Sequence, residues 1–184
     1  VQKLISISIS EAISDSVKTV DALINFSLVE NCGGTEKFLE TIKKTIEKYS
    51  EKVEIHPILS FDTSDFCIES LSEEKENEIL KCASSLVKSK FFAAFDFSGD
   101  FTQENLEKIK PLVKTVRSEK KHSSFCCHNV KSEDEFLALH DFFASTSVSN
   151  LLPEFIGGRA LEILKKKDVT LNLSPEIFLT EDGF

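Results

Sequence analysis

The stretch KFFAAFDFSG, residues 90–99, decides the predicted fold of this chain. It is a nearly continuous apolar run, which is typical of a β-strand that is buried on both faces. Strands of this kind belong to mostly parallel sheets, because the helical connections between parallel strands cover the sheet on both sides. The sequence before and after this stretch should therefore alternate between strands and helices.

Strand and helix patterns do alternate along the chain. The strands are recognised as apolar or alternating runs, and the helices as apolar residues at helical spacing behind a capping residue such as Thr35 or Ser72. One helix contains Pro111, which we expect to bend or break it. The eight predicted strands are residues 4–10, 22–28, 53–61, 90–99, 123–129, 154–158, 169–174 and 177–183.

Eight strands that alternate with helices predict an α/β fold that resembles a (β/α)8 TIM barrel. The chain has 184 residues, whereas a closed barrel of this type usually takes about 250, so we expect the barrel to be abbreviated or incomplete. The sequence contains no internal repeat, linker or low-complexity segment. Residues 1–184 are therefore expected to form a single domain with one core.

The charge of the chain argues against several classes of protein. The net charge is −9 and the pI is about 5.0, whereas a nucleic-acid binder needs a clustered basic surface. No apolar run approaches the roughly 20 residues that span a bilayer. The first residues also lack the features of a signal peptide. We expect neither a nucleic acid nor a membrane as partner. Methionine is absent even from position 1, so the printed chain is expected to lack its natural first residue.

The number and spacing of the cysteines predict the cellular compartment of the protein. There are five of them, an odd number without the spacing of a disulfide framework. In a chain without a secretory signal, this indicates free thiols in the cytoplasm or another reducing intracellular compartment. The adjacent pair Cys126 and Cys127 should point to opposite faces of a strand, so neither a bond nor a shared metal is expected between them.

The stretch LISISIS, residues 4–10, alternates isoleucine and serine with a period of two. This alternation predicts a strand with one apolar face and one face of small hydroxyls. Two interpretations remain open at this point. The strand is an edge strand with a weakly polar face, or its serines point into a site where other side chains would stand.

The segment AAFDFSGD, residues 93–100, resembles GLDLSGD of the adenosine deaminase family, in particular of the branch that deaminates N6-substituted AMP. The resemblance covers nearly the whole chain at low identity and in the same order. It implies a (β/α)8 barrel with its site at the carboxyl ends of the strands. The further matching segments are LISISISEAIS with ELHxHLNGSIS, DALINFS with YLELRST, LLPEFIGG with LLPDRIGHG, VTLNLSPE with IPLELCLTSN, and LTEDGF with CTDDKGVF.

The resemblance implies a zinc-bound hydroxide that is held by imidazoles and a carboxylate. Ser6 and Ser8 fall on the two histidine ligands of the first strand, and a neutral hydroxyl is a poor zinc ligand. Cys126 falls on a third histidine ligand, and Glu181 falls on the aspartate ligand. We therefore expect no metal and no other cofactor in this protein.

The resemblance also implies a catalytic glutamate and a purine pocket. Asn129 falls on the glutamate, and its amide cannot accept and return a proton at neutral pH. Gly158 falls on the histidine of the IGHG segment. A vestigial purine pocket is expected from Asp96, Ser98, Gly99, Asp100 and Asp182.

These departures favour a catalytically inactive protein, or pseudoenzyme, that serves as a structural or protein-binding component. Its partner would be another protein or a larger assembly, because Phe142 and Phe143 give one helix more apolar area than a single face needs, although such rings also occur in cores. The alternative is an active purine nucleoside or nucleotide deaminase, with zinc held by Cys126, His128, Glu181 and Asp182. A third, weaker possibility is a retained purine pocket that binds its ligand without turnover.

Overall fold

The computed structural model of the chain describes residues 1–67, 72–127, 130–149 and 158–172. Helices and strands alternate through these residues, as the sequence predicts. In chain order the elements are α1 (Gln2–Ser14), β1 (Thr19–Asn25), α2 (Leu28–Asn31), α3 (Thr35–Tyr49), β2 (Glu54–Asp62), a 3-10 helix (Thr63–Asp65), α4 (Glu73–Lys88), β3 (Ala94–Ser98), α5 (Gln103–Ser118), β4 (His122–Cys126), α6 (Glu133–Phe143), β5 (Ser147–Ser149), α7 (Arg159–Lys166) and β6 (Thr170–Asn172).

The six described strands form one parallel sheet in the order β1-β2-β3-β4-β5-β6. Each strand thus lies beside the next strand in the sequence, with a helical connection between them. This succession is that of a β/α barrel, and six strands make up three quarters of the eight that close one. The predicted α/β fold, with parallel strands that follow one another in chain order, is confirmed.

Phenylalanine rings form the core on the helix-covered face of the sheet. Phe61, Phe97 and Phe125 lie side by side on β2, β3 and β4, and all three are buried. Phe143 of α6 stacks on Phe97 and Phe125, with ring centroids 4.8 and 5.4 Å away. Phe142 packs edge-on against Phe143. The expected exposed patch at these two residues is therefore wrong, because the rings lie in or against the core.

The stretch 4–10 is not a strand, contrary to the prediction, but part of helix α1. Ile5 and Ile9 lie one helical turn apart, and Ile9 is 3% exposed. The serine hydroxyls bond within the helix, because Ser10 Oγ donates to the Ser6 carbonyl at 2.8 Å and Ser14 Oγ donates to the Ser10 carbonyl at 2.9 Å. Isoleucines at every second position also include pairs four residues apart, which is the spacing of one helix face.

The other elements agree with the sequence in part. Ser72 caps α4 as predicted, since its Oγ accepts the Lys75 amide, whereas the N-cap of α3 is Gly34 and not Thr35. Pro111 does not interrupt α5. It lies on the exposed side of that helix. Proline has no N–H, so the carbonyl four residues before it has no partner in the helix, but water can bond to that carbonyl on the exposed side.

The second half of the chain agrees with the predicted strands only in part. Strand β5, Ser147–Ser149, was not predicted. Of the predicted strand 154–158, only Gly158 is described, and it precedes helix α7; residues 177–183 lie outside the described part. Within the described ranges, no helix is long and apolar enough to cross a membrane.

Candidate functional site

The carboxyl ends of β2, β3 and β4 meet at one edge of the sheet. Their last residues are Asp62, Ser98 and Cys126, and the residues two places earlier are Ser60, Asp96 and Ser124. Because side chains alternate along a strand, all six project from the face opposite the core phenylalanines. In α/β barrels, functional side chains occupy the carboxyl ends of the strands. This edge is therefore the candidate site.

Asp96 is the central buried charge of this edge. It is 4% exposed, and its register neighbours on the adjacent strands are Ser60 and Ser124. Ser60 Oγ donates to Asp96 Oδ2 at 3.4 Å, and Ser124 Oγ donates to Asp96 Oδ1. A buried carboxylate needs such donors, because an unpaired buried charge is strongly destabilising. The serines were missed in the sequence, although each directly precedes a buried phenylalanine on its strand.

Asp62 and the neighbouring Asp65 have carboxyl groups in different environments. Burial acts to raise the pKa of Asp62, but hydrogen bonds from Ser64 and from Ser98 outweigh it and hold the pKa below its usual value. Burial raises the pKa of Asp65, and the charge of Asp62 acts in the same direction. Asp65 also accepts the Asp62 amide at 3.3 Å, which closes a capping box around the 3-10 helix.

Gly99 fits against the Asp62 loop in a way that only glycine allows. Its φ is +98°, a conformation that L side chains rarely adopt. A Cβ atom at this position would lie 2.3 Å from Thr63 Oγ1 and 2.8 Å from Asp62 Oδ1. The next residue, Asp100, is exposed, and its carbonyl accepts Asn105 Nδ2 at 2.8 Å. The structure thus brings Asp96, Ser98 and Gly99 together, and it gives Gly99 a role in the turn to α5.

The two adjacent cysteines differ in burial. Cys126 is half-buried, whereas Cys127 is completely buried. Burial is the main reason that the pKa of the Cys127 thiol is raised far above its usual value, so this thiol stays protonated and is a poor metal ligand. The structure describes all five cysteines, and none of them is in a disulfide.

Gly158 lies at the start of α7, against the side chain of Glu133 from α6. A Cβ atom on Gly158 would lie 2.6 Å from Glu133 Oε1. The same carboxylate oxygen accepts the Ala160 amide at 2.6 Å and so caps the first turn of α7. A side chain at position 158 would therefore require the flexible end of Glu133 to move.

Comparison with solved structures gives the fold of the chain a context. Adenine deaminase from Arthrobacter aurescens superposes with a TM-score of 0.71 at 10% identity, over 98% of this chain and 55% of that one. Arabidopsis ADAL in complex with GMP superposes with a TM-score of 0.68 at 14% identity, over 100% and 54% of the two chains. The N6-methyl-AMP deaminase from Arabidopsis thaliana gives 0.57 at 13% identity, over 96% and 62%.

The chain has an adenosine-deaminase-like fold. No protein-family model and no curated protein sequence matches it, so the likeness rests on structure. The chain spans about half the length of the first two deaminase structures that it matches. The resemblance seen in the segment 93–100 and its companions is confirmed at the level of the fold.

The positions of Ser6 and Ser8 in the structure differ from those that the sequence predicted. Ser6 and Ser8 were placed on the histidine ligands of a first strand, but both lie on helix α1, which leads into the amino end of β1. Ser10, on the same helix, bonds to Tyr49 at the end of α3, just before β2 begins. This is the end of the sheet opposite to Asp62 and Cys126, so the two serines cannot replace ligands at the carboxyl edge.

The remaining candidate residues lie outside the described ranges. They are His128, Asn129, Glu181 and Asp182. Of the positions that the resemblance assigns to the zinc site, Cys126 is thus the one described residue that offers a donor atom at the carboxyl edge. Among residues 1–67, 72–127, 130–149 and 158–172, no three His, Cys, Asp or Glu side chains are grouped to hold a metal.

Proposed function

We propose that this chain is a catalytically inactive adenosine-deaminase-like domain that serves as a structural or protein-binding component. The residue at position 158 carries the proposal. The resemblance implies an imidazole there, but this residue is a glycine that precedes α7 and has no side chain to bind or transfer a proton. A Cβ at this position would also lie 2.6 Å from Glu133 Oε1, so the carboxylate that caps α7 would have to move.

Two other positions support the proposal. Cys126 occupies the place of a histidine ligand, and Asn129 occupies that of the catalytic glutamate. Water that is not bound to a metal keeps a pKa of about 15.7 instead of about 7, so hydroxide is scarce at neutral pH. Loss of a general acid–base typically costs a further ~10²–10⁴-fold in rate. Tighter binding of a purine would not recover these losses, because binding the substrate and the transition state equally does not lower the chemical barrier.

The experiment measures metal content and turnover on the same preparation. Purified protein is analysed for bound zinc, and then incubated at high concentration with adenosine, AMP and N6-methyl-AMP, with and without added zinc. We expect less than one zinc per chain and no loss of the adenine absorbance above background. Asn129→Glu should restore no activity, because no metal-bound water would be present for the new carboxylate to serve.

A matched pair of variants distinguishes an altered metal site from an empty one. Cys126→Ala removes the thiol at the carboxyl end of β4, and Cys32→Ala removes a half-buried thiol elsewhere. Turnover, or stoichiometric zinc, that is lost in Cys126→Ala and kept in Cys32→Ala would overturn the proposal. It would show instead an active purine deaminase with a cysteine ligand.

A further inference from the structure

We propose that the amino end of the sheet binds a short acidic segment of a partner protein. Helices α4, α5 and α7 end there in lysine-rich segments that lead to the next strand. These segments are residues 88–90 (KSK), 117–121 (RSEKK) and 165–168 (KKKD), and together they form what we call the lysine surface. They contain eight lysine and arginine residues and two acidic residues, a net charge of +6, although the whole chain has −9. The rest of the chain therefore carries −15.

Contacts between the segments join them into one lysine surface. Lys121 Nζ donates to the Ser89 carbonyl at 3.3 Å and so connects the end of α5 to the end of α4. The guanidinium of Arg117 donates to the Asp141 carbonyl at the end of α6. Lys167 Nζ lies 3.0 Å from the carboxylate of the same Asp141, which connects α7 to α5. The eight cations therefore lie around the ends of three neighbouring strands, β3, β4 and β6 with β5 between the last two.

The lysine surface is open to solvent. Seven of its eight basic residues are exposed, and the eighth, Lys121, is half-buried. The connections at this end of the sheet, from the one between α1 and β1 to the one between α7 and β6, all lie within the described residues. The charges are thus presented together on a part of the molecule that the structure describes throughout.

The helix dipole accounts for only part of this charge. A cation is favoured at a helix C-terminus, and Lys88 and Lys166 lie in the last turns of α4 and α7. The effect is confined to the last turn. Lys90, Lys120 and Lys167 lie beyond the ends of their helices. A cluster of cations beyond what the helices need indicates an anionic partner, because complementary charges steer and orient an encounter.

Acidic residues beside the lysine surface limit the size of that partner. The connection between α3 and β2 carries Lys52 together with Glu51 and Glu54, and all three are exposed. Charges interact over about 8 Å at physiological salt. A membrane or a long nucleic acid that extends past the lysine surface would come within this distance of the carboxylates and be repelled. A short run of aspartates and glutamates would contact the lysines alone.

The composition of the lysine surface also favours a protein partner over a nucleic acid. Its segments contain one arginine and no aromatic residue. Proteins that hold single-stranded nucleic acids stack the bases on aromatic rings, and these segments offer none. The inference gives a partner chemistry to the protein-binding role and rests on that part of the proposed function. It concerns the end of the sheet opposite to the carboxyl edge.

The first test is the binding of a fluorescent peptide of about eight glutamates to the full chain, measured by anisotropy at low and at physiological salt. We expect binding that weakens as salt is added, and none of a glutamine peptide of equal length. Lys88→Glu combined with Lys90→Glu should weaken binding by about tenfold, because two attractions become two repulsions. Urea unfolding of the variant verifies that it folds.

A second pair of substitutions is the matched control. Lys48→Glu combined with Lys52→Glu makes the same change of charge at the same end of the sheet, in the last turn of α3 and the connection after it. This pair should change the affinity by less than about twofold, because it lies beside acidic residues outside the lysine surface. No binding of the glutamate peptide, or an equal loss in the two pairs, would overturn the proposal.

The second test compares classes of partner. The same titration uses single-stranded oligothymidylate, and vesicles of phosphatidylserine and phosphatidylcholine, in place of the peptide. We expect weaker binding of both than of the glutamate peptide at physiological salt. Tighter binding of either, lost in the Lys88→Glu and Lys90→Glu variant, would assign the lysine surface to a nucleic acid or a membrane instead. Zinc content and turnover are measured separately, so a failure of the proposed inactivity is distinguishable from a failure of this inference.

Discussion

Replacement of Gly99 by alanine is the sharpest test of the carboxyl edge. Alanine must adopt a φ near +98°, and its Cβ would lie 2.3 Å from Thr63 Oγ1 and 2.8 Å from Asp62 Oδ1. A non-glycine residue held in such a conformation costs about 1–3 kcal/mol. Displacing tightly packed neighbours costs about 1–3 kcal/mol more. We therefore expect Gly99→Ala to lower the free energy of unfolding by about 2–6 kcal/mol.

Gly34 provides the matched control. Its φ is +109°, but a Cβ there would have no atom within 4 Å. Gly34→Ala should therefore cost only the backbone term, about 1–3 kcal/mol. The measurement is urea unfolding of both variants. If the free energy of unfolding falls with urea concentration at the same slope in both, the difference between their midpoints reports the difference in stability. Equal losses in the two variants, or no loss in Gly99→Ala, would refute the inference that the Asp62 loop is packed onto Gly99.

Three further outcomes follow from named contacts. Burial, and to a smaller extent the charge of Lys167, lower the pKa of His140. The free energy of unfolding should therefore fall as the pH drops below about 6.5, because the unfolded chain takes up a proton that the folded chain resists. His140→Gln should remove this part of the pH dependence of urea unfolding. Glu133→Ala should lower stability by about 1 kcal/mol through loss of the cap on α7, as thermal unfolding would show, and Glu133→Gln should lose less. Ser124→Ala leaves Asp96 with a poorer set of donors and should cost about 1–3 kcal/mol, more than Ser60→Ala, whose bond is 3.4 Å long; equal losses in chemical unfolding would contradict this ranking.

The sequence predicted the central part of the sheet because its strands carry strong patterns. The run 90–99 and its neighbours pair in parallel in chain order, as expected. Strand β5 has only three residues, SVS, which is too short for any periodicity to be read. The stretch 4–10 was misassigned because its isoleucines satisfy the strand period of two and also the helical spacing of four. Contact with α3 decided the outcome, and such long-range contacts are invisible in a local pattern.

The candidate site was predictable to the extent that its residues are consecutive in the sequence. Asp96, Ser98 and Gly99 follow one another along a single strand and its turn, so their meeting at one edge was foreseen. Ser60 and Ser124 belong to other strands, and they reach Asp96 only through the register of the sheet. The Glu133 cap also joins two distant segments. A glycine at position 158 in the sequence does not indicate whether the space beside it is empty or filled.

The correction at α1 changes the basis of the proposed function. Ser6 and Ser8 no longer count as replaced ligands, because they lie on a helix at the opposite end of the sheet. The proposal then depends on Cys126, Asn129 and Gly158. These three residues argue against an active deaminase site with different strength. A thiol can bind zinc, so Cys126 alone does not exclude a metal site. Gly158 is the clearer departure, because glycine has no side chain that could act as an acid, a base or a ligand. A larger side chain there would also require the flexible end of Glu133 to move away from the Ala160 amide, which it caps.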